Sequence, residues 1–456
     1  MPASPCLLLV GTYGEKLGHV DGKGKGVYAY LLDRQAMRLM SAPPEPSPPM
    51  PFLGKPQLGG ATGVLNPTYL TSYRDVEAGA LHVYIADELY SAEGGRLVAA
   101  TLDERTAELL TLGEPALAGG MGTCHVAVAS GGKHVLAANY MGGTVTAVER
   151  RLDGSLGAPV ALITLPLSSP VRGLANAVSF PGAHRERQEQ AHPHMVKPCG
   201  AHTVLVPDLG CDCVWNLKYE PTAPVPLEVA SSCGEIGALH GAGPRHVAVN
   251  PLPEVNVAYV AYELTSQVAA FALDEHGALT GEPLSPGPVC VLPLGEQPIA
   301  KGPFDSAGDE PTTYSAFAIT DSRGVVVCRD KDTSVAAVRV SPAGDYLFVS
   351  NRIAKGPGVI SSLKLLPDGR IVPPSEGSLG VSSTHGCTPR DFVLLPTAEP
   401  SSDRYVALIA NQESGRTCGD SNNLVVLSSA APPFDLGAEV PTPVSICVVP
   451  ELVLDA

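Results

Sequence analysis

The sequence is poor in charged and aromatic residues, and it has no apolar run of the length that a membrane span needs. Charged residues make up 17% of its 456 residues and aromatic residues 5%. Lys and Arg together number 30, against 46 Asp and Glu, which gives a formal net charge of -16. Nucleic acids and anionic membrane surfaces select for an excess of Lys and Arg. We therefore expect neither a nucleic-acid partner nor a membrane partner.

We also expect no secretory leader, because the apolar run at residues 6–10 is too short for a signal peptide. The 11 cysteines are then expected to be reduced thiols in a cytoplasmic protein. His192 and His194 could supply half of a metal site, but no set of Cys, His and Asp with ligand spacing accompanies them. We predict that the protein holds no metal and needs no cofactor.

What the sequence does have is glycine, proline and short apolar segments. A hydrophobic content of 44% excludes wholesale disorder, while 48 Gly and 44 Pro interrupt the chain too often for long helices. Strand, turn, strand units begin near residues 66, 124, 192, 243, 335 and 388. Three strands at residues 7–40 and one at 443–451 complete a seventh unit.

Repeated four-stranded units of this size are typical of a β-propeller. The sequence predicts an all-β fold, a seven-bladed β-propeller of four-stranded antiparallel blades. Mixing strands of both termini in one blade would close the ring and protect its last edge. Residues 1–456 are expected to form a single domain. Insertions near residues 166–191 and 294–333 are rich in Gly, Pro and charge, which predicts loops on a face of the ring.

The clearest unit spans residues 241–264, where two strands meet at a Pro-containing turn. In an antiparallel hairpin the start of one strand lies beside the end of the next. Arg245 and Glu263 should therefore be neighbours at one rim of the sheet. At such a rim, truncating either side chain is expected to cost little packing.

Aligning the units on their hairpin turns predicts which polar side chains converge. Six residues before the turns lie Cys124, His192, Arg245, Ala336 and Arg390. At the far ends of the second strands lie Glu88, Tyr140, Leu209, Glu263, Arg352 and Gln412. His194 should point to the same side as His192. The predicted site contains His192, His194, Arg245, Glu263, Arg352 and Arg390, with His125, Asn139, Tyr140, Asn411 and Gln412 nearby. The alternative interpretation of any one of these residues is an ordinary solvated strand end. Gathering arginines in an acidic protein, however, suits a ligand with phosphate or carboxylate groups.

Several motifs give the chain a family resemblance. They are VGTY, ANY at 138–140, PDLG at 207–210, GAGPRHVAV, YEL, SNR at 350–352, TPRDF and ANQ at 410–412. In motif order the chain resembles the seven-bladed propeller lactonases, which include propeller-type 6-phosphogluconolactonases and carboxymuconate-lactonizing enzymes. By this resemblance the catalytic set falls on His194, Arg245, Glu263 and Arg352. One departure is Tyr262, which stands where an asparagine commonly precedes the glutamate.

The resemblance implies a lactonase, a carboxylic ester hydrolase of carbohydrate metabolism and the pentose phosphate pathway, whose partner is a small anionic lactone. In that hypothesis Glu263 or His194 takes a proton from water, and Arg245 or Arg352 stabilises the oxyanion. The residues expected to bind substrate are His125, Asn139, Tyr140, His192, Arg390, Asn411 and Gln412. Two alternatives stay open: a carboxymuconate-type lactonizing cycloisomerase and a non-catalytic propeller that binds proteins. The sequence does not indicate the oligomeric state.

Overall fold

The chain folds into a ring of antiparallel sheets. The structure is a computed structural model, and it describes residues 5–33, 38–40, 43, 48–59, 63–166, 184, 186–234, 241–292, 319–320, 326–327, 333–353, 357–395, 405–413, 423–428, 431–435 and 442–449. Within these residues one short 3₁₀ helix, Pro374–Glu376, accompanies the strands. None of their helices has the length and apolar character of a membrane span.

Seven sheets form the blades, which we number in chain order. The first three contain Cys6–Thr12, Gly26–Asp33, Arg38–Met40 and Pro56–Leu58 (blade 1); Pro67–Asp75, Ala80–Asp87, Arg96–Asp103, Glu108–Thr111 and Ala116–Leu117 (blade 2); and Thr123–Val128, His134–Asn139, Thr144–Arg150 and Leu156–Thr164 (blade 3). Blade 4 contains Lys197–Cys199, Thr203–Asp208, Cys213–Tyr219 and Leu227–Cys233.

The remaining blades follow the same up-and-down order. They contain Pro244–Val249, Val257–Tyr262, Gln267–Leu273, Leu279–Thr280 and Val289–Cys290 (blade 5); Thr333–Val340, Tyr346–Ile353, Val359–Lys364 and Leu379–Ser383 (blade 6); and Cys387–Leu395, Val406–Glu413, Asn423–Ser428 and Ala431–Asp435 (blade 7). Two small hairpins pair Lys16–Leu17 with Val20–Asp21 and Ile319–Thr320 with Val326–Val327.

The strand Pro443–Val448 closes the ring. It pairs antiparallel with Cys6–Thr12, so that Leu8 faces Val448 and Val10 faces Ile446. The predicted fold, including the mixing of both termini in blade 1, is confirmed.

The hydrophobic core lies between the blades rather than at one centre. Seven clusters of buried side chains in the described residues are each shared by two adjacent blades. In blade 1, Leu7 and Leu9 pack toward blade 2, while Leu8 and Val10 pack toward blade 7. Because each blade is covered on both faces, strands such as Val257–Tyr262 are buried at every residue. Burial on both faces explains why these strands are nearly continuous apolar runs.

The cysteines differ from the expectation of reduced thiols. Cys124, Cys199, Cys211 and Cys447 are free thiols, whereas Cys290 and Cys387 are disulfide-bonded. The expectation is therefore wrong for these two residues, because a disulfide depends on a spatial approach that the sequence does not show. Both predicted insertions fall largely outside the described residues, since 167–183, 185, 293–318, 321–325 and 328–332 are not among them.

Candidate active site

The inner strands of the blades carry β-bulges at one rim of the ring. In blades 1, 2, 3, 5 and 7 the pairing with the second strand skips one residue there. A bulge leaves its extra residue unpaired and re-aims the side chain. The skipped residues are Val444, Thr68, Cys124, Arg245 and Arg390. The bulges thus explain why two arginines from separate blades project at the same rim.

The far ends of the second strands meet the inner strands at this rim. The backbone N–H groups of Glu88, Tyr140 and Glu263 donate to the carbonyls of Asn66, Gly122 and Gly243, at 3.0, 2.8 and 2.8 Å. This repeated hydrogen bond gives the blades a common register. We call the rim the mouth and define it by Tyr13, Glu88, Tyr140, Arg187, His194, Arg245, Glu263, Arg352 and Arg390.

The common register corrects the predicted place of His192. In blade 4 the N–H of Leu209 donates to the carbonyl of His192 at 3.1 Å. His192 is therefore equivalent to Gly243, and His194 is equivalent to Arg245. Alignment on the hairpin turns misplaces the position equivalent to Arg245 by two residues in this blade, because the turn between its first two strands has a different length. His194, not His192, occupies the position of Arg245.

Glu263 lies at the centre of three guanidinium groups. Arg187 donates to Glu263 Oε1 at 2.7 Å, and Arg352 Nη2 lies 3.1 Å from Oε2. Arg245 Nε lies 2.9 Å from Oε2 as an ion pair without hydrogen-bond alignment. The predicted contact between Arg245 and Glu263 is present, and one carboxylate faces three positive groups.

This ion-pair cluster is buried, contrary to the expectation of a rim position that tolerates truncation. The Arg245 and Glu263 side chains are 2% and 4% exposed. Arg245 also donates to the backbone carbonyl of Ala336 and to His246 Nε2, the latter at 3.2 Å. Arg352 donates to the carbonyl of Val335 at 2.9 Å. The bulge places Arg245 under the rim, so its loss would leave buried polar groups unpaired.

The positive groups dominate the electrostatics of the cluster. Burial alone would raise the pKa of Glu263, but Arg352, Arg187 and Arg245 outweigh it and hold that pKa well below its ordinary value. Burial and the neighbouring Arg352 lower the pKa of Arg245 to about 9. Glu263 is therefore ionised but weakly basic in this arrangement. A further anion would relieve the repulsion among the guanidinium groups.

A second polar group of the mouth surrounds Glu88 and Arg390. Glu88 accepts hydrogen bonds from Tyr13 at 2.8 Å and from Tyr90 at 2.5 Å. The Arg390 guanidinium lies 5.4 Å from the centre of the Tyr13 ring and donates to Gln412 Oε1 at 3.2 Å. Arg390 therefore contacts Gln412 and Tyr13 at the mouth.

His194 and Tyr140 form the side of the mouth contributed by blades 3 and 4. The Tyr140 ring stacks on His192 with centroids 4.4 Å apart and meets His194 edge-on at 5.4 Å. Burial, followed by the charges of Arg245 and Arg390, holds the pKa of His194 well below its ordinary value. His194 is a neutral imidazole, and its buried Nδ1 has no hydrogen-bond partner among the described residues.

Asn139 and Asn411 are not brought to the mouth. Asn139 directly precedes Tyr140 and Asn411 directly precedes Gln412, and side chains of consecutive strand residues point in opposite directions. Asn139 is fully buried inside blade 3, where its amide donates to Ala118, Thr144 and Thr146. Asn411 is equally buried and donates to the carbonyl of Thr384 at 3.0 Å. Their geometry indicates that they hold the blades together.

His125 lies in the central channel below the mouth. Its ring packs against Tyr69, with centroids 3.9 Å apart, and meets His246 edge-on at 6.0 Å. Blades 3 and 5 are not neighbours, so the contact between His125 and His246 crosses the channel. Both rings are 3% exposed. His125 closes the floor of the mouth and offers little surface to a substrate.

Sequence reasoning missed Arg187, Tyr13 and Tyr90, and it named Glu88 only as a strand end. Tyr13 ends the VGTY strand, whose place in blade 1 matches that of Glu88 in blade 2, so the register could have indicated it. Arg187 lies in an insertion that has no repeat pattern. Among the described residues no group of His, Cys, Asp and Glu has the arrangement of metal ligands.

These features define a class of protein, a seven-bladed propeller with an arginine-rich mouth. The family model described as lactonase, 7-bladed beta-propeller, matches residues 7–285. The chain belongs to this lactonase family, and it is therefore a lactone hydrolase. This assignment disfavours the non-catalytic propeller.

Individual relatives agree with the family. A 6-phosphogluconolactonase of Bacillus subtilis (strain 168) is 27% identical over 85% of this chain and 84% of its own length. A solved Bacteroides fragilis protein has a TM-score of 0.67 at 21% identity, covering 98% of this chain and 99% of its own. The periplasmic gluconolactonase PpgL of Pseudomonas aeruginosa has a TM-score of 0.66 at 22% identity, covering 98% and 99%. The two structures support the fold.

Proposed function

We propose that the protein hydrolyses the lactone of an anionic sugar acid and that its substrate is 6-phosphogluconolactone. The observation that carries this proposal is the excess of guanidinium groups in the mouth of a chain with a net charge of -16. Such groups bind phosphate and carboxylate in a planar, two-pronged geometry. The name of the Bacillus subtilis relative supports the same substrate.

The proposed reaction begins with attack of water on the lactone carbonyl carbon. Glu263 accepts the proton of that water, and neutral His194 orients it. Arg245 and Arg352 stabilise the negative charge that develops on the carbonyl oxygen. The bond from the carbonyl carbon to the ring oxygen then breaks, and the ring oxygen takes the proton back from Glu263. The product is the open sugar acid.

Arg390 is proposed to hold the phosphate. Its guanidinium comes from blade 7 and lies beside Tyr13 and Gln412, next to blade 6, which carries Arg352. Gln412 would keep the Arg390 guanidinium oriented, and Tyr140 would contact the sugar. His192 is 1% exposed, so it would support the Tyr140 ring rather than bind substrate as the sequence predicts. A place in the pentose phosphate pathway and in the cytoplasm depends on this substrate and stays a prediction.

Substrate assays test the proposal. Purified protein is incubated with 6-phosphogluconolactone, with glucono-1,5-lactone and with a carboxymuconate, following acid release or loss of diene absorbance. We expect acid release that is fastest with 6-phosphogluconolactone, above the rate with the heat-inactivated protein. Turnover of the muconate alone would favour the lactonizing cycloisomerase and contradict the proposal.

A further inference from the structure

Arg187 is the outermost of the guanidinium groups on Glu263. Its side chain is 44% exposed, whereas that of Arg352 is 17% and that of Arg245 2% exposed. Its Nη2 bonds Glu263 Oε1 at 2.7 Å and the Tyr140 hydroxyl at 3.2 Å. Arg245 and Arg352 approach Oε2 instead. Arg187 alone among these three arginines therefore covers Oε1, and it does so from the solvent side.

The backbone that carries Arg187 is firmly anchored. Gln188 is 1% exposed and donates to the carbonyl of Leu209 at 3.0 Å. Gln190 donates to the carbonyl of Met141 at 2.8 Å, and the N–H of His192 donates to Asp208 at 2.7 Å. A long side chain on a fixed backbone can exchange partners by rotating, with no movement of the chain.

While Arg187 stays on Glu263, it opposes the role of that carboxylate as a base. Among the residues that the structure describes, the charged groups that face Glu263 are Arg187, Arg245 and Arg352, and Tyr140 lies beside them. A carboxylate oxygen that accepts a short charge-assisted hydrogen bond is poorly placed to receive a proton from water. Removing one guanidinium would leave Oε1 open and the carboxylate more basic.

We propose that Arg187 masks Glu263 in the free enzyme and moves to the anionic group of the bound lactone, so that the base is uncovered when an anionic substrate binds. Arg187 is then a specificity-determining residue, because an uncharged lactone offers nothing to draw it away. The substrate part of this inference depends on the proposed function. The masking of Glu263 does not.

The test compares Arg187→Gln with the parent enzyme on 6-phosphogluconolactone and on uncharged glucono-1,5-lactone. Arg370→Gln is the matched control, because Arg370 is 45% exposed and paired with Asp368 in a turn of blade 6. For Arg187→Gln we expect kcat/KM on the phosphorylated lactone to fall on the order of 10–100-fold, the value of one charge-assisted hydrogen bond. Turnover of the uncharged lactone should stay level or rise, and the acid limb of its pH profile should move to higher pH. Arg370→Gln should change neither.

A loss on the phosphorylated lactone without a loss on the uncharged lactone would support the proposal, because a purely structural loss lowers both rates together. Equal losses on both substrates, or no change on either, would overturn it. An unmoved acid limb on the uncharged lactone would overturn the masking. If the parent enzyme proves inactive on 6-phosphogluconolactone, the proposed function fails, and the pH profile on the uncharged lactone still decides the masking.

Discussion

Glu263 and Arg245 belong to a buried cluster in which removing either partner affects both folding and turnover. An exposed ion pair contributes little to stability. Breaking a buried one leaves an uncompensated charge and costs about 3–5 kcal/mol. Because Glu263 is shared by three guanidinium groups, its charge has more partners than an ordinary pair.

Glu263→Gln should therefore lower both activity and stability. We expect turnover to fall about 10²–10⁴-fold, the usual contribution of a general base. We also expect the free energy of unfolding to drop by about 3–5 kcal/mol. Asp391→Asn is the matched control, because Asp391 is 3% exposed and paired with Arg339. It should lose stability but keep most turnover. Normal turnover in Glu263→Gln would refute the role of the base.

Arg245→Lys tests the role of the planar guanidinium group in the same cluster. A lysine keeps the charge but cannot reach Glu263, Ala336 and His246 together. Turnover should fall about 10²–10³-fold if the Arg245 guanidinium binds the oxyanion. Urea denaturation should show a loss of about 1.5–3 kcal/mol. Arg96→Lys alters the pair with Asp87 in blade 2 and serves as control, since it should leave turnover unchanged.

At the scale of single elements, the position of residues 186–192 depends on Gly210 of the PDLG motif. A Cβ at Gly210 would lie 1.7 Å from the carbonyl oxygen of Gln190. The close crossing of these two backbones fixes the segment that carries Arg187.

Gly210→Ala should displace this segment. We expect a loss of about 1–3 kcal/mol from overpacking and a lower kcat/KM on the anionic lactone. Gly18→Ala is the control, because a Cβ at Gly18 would meet nothing within 4 Å. Thermal melting and kinetics of both variants check the prediction. Equal melting temperatures and equal kinetics in the two variants would show that the two backbones move apart without loss of stability or activity.

The sequence predicts the elements better than it predicts the site. Strand order and ring closure follow from turn residues and apolar alternation, because these signals are local. Arg245, Glu263 and Arg390 follow from the register, since a repeat places equivalent residues together. The register fails where a turn differs in length, as at His192, and it cannot separate Asn139 from Tyr140, which point in opposite directions. Arg187 lies outside any repeat, so only the folded structure brings it to Glu263.

At the scale of the whole molecule, several buried imidazoles make stability depend on pH. Burial, followed by neighbouring cations, holds the pKa of His125 and His194 well below its ordinary value, and burial and Arg245 do the same for His246. Above the ordinary imidazole pKa of about 6.5, neither the folded nor the unfolded chain is protonated at these sites. Below it, only the unfolded chain takes up protons.

Stability should therefore decline as the pH falls from about 6.5 to 5, a window above the titration of ordinary carboxyl groups. Urea midpoints measured at intervals between pH 7.5 and 5 check this expectation. His125→Gln removes one such group and should flatten the curve. A constant midpoint across the window would show that these imidazoles take up protons in the folded ring as readily as in the unfolded chain.

Ring closure also sets the order in which the protein can be completed during synthesis. The strand Cys6–Thr12 receives its partner Pro443–Val448 only after nearly the whole chain has left the ribosome. At about 5–20 residues per second, that interval is on the order of 20–90 s. Throughout it, one side of the first blade exposes unpaired backbone groups and the apolar side chains of Leu8 and Val10. The nascent chain thus remains an open arc that can join with another copy, and its yield in the cell should depend on chaperones that cover this edge until the last strand arrives.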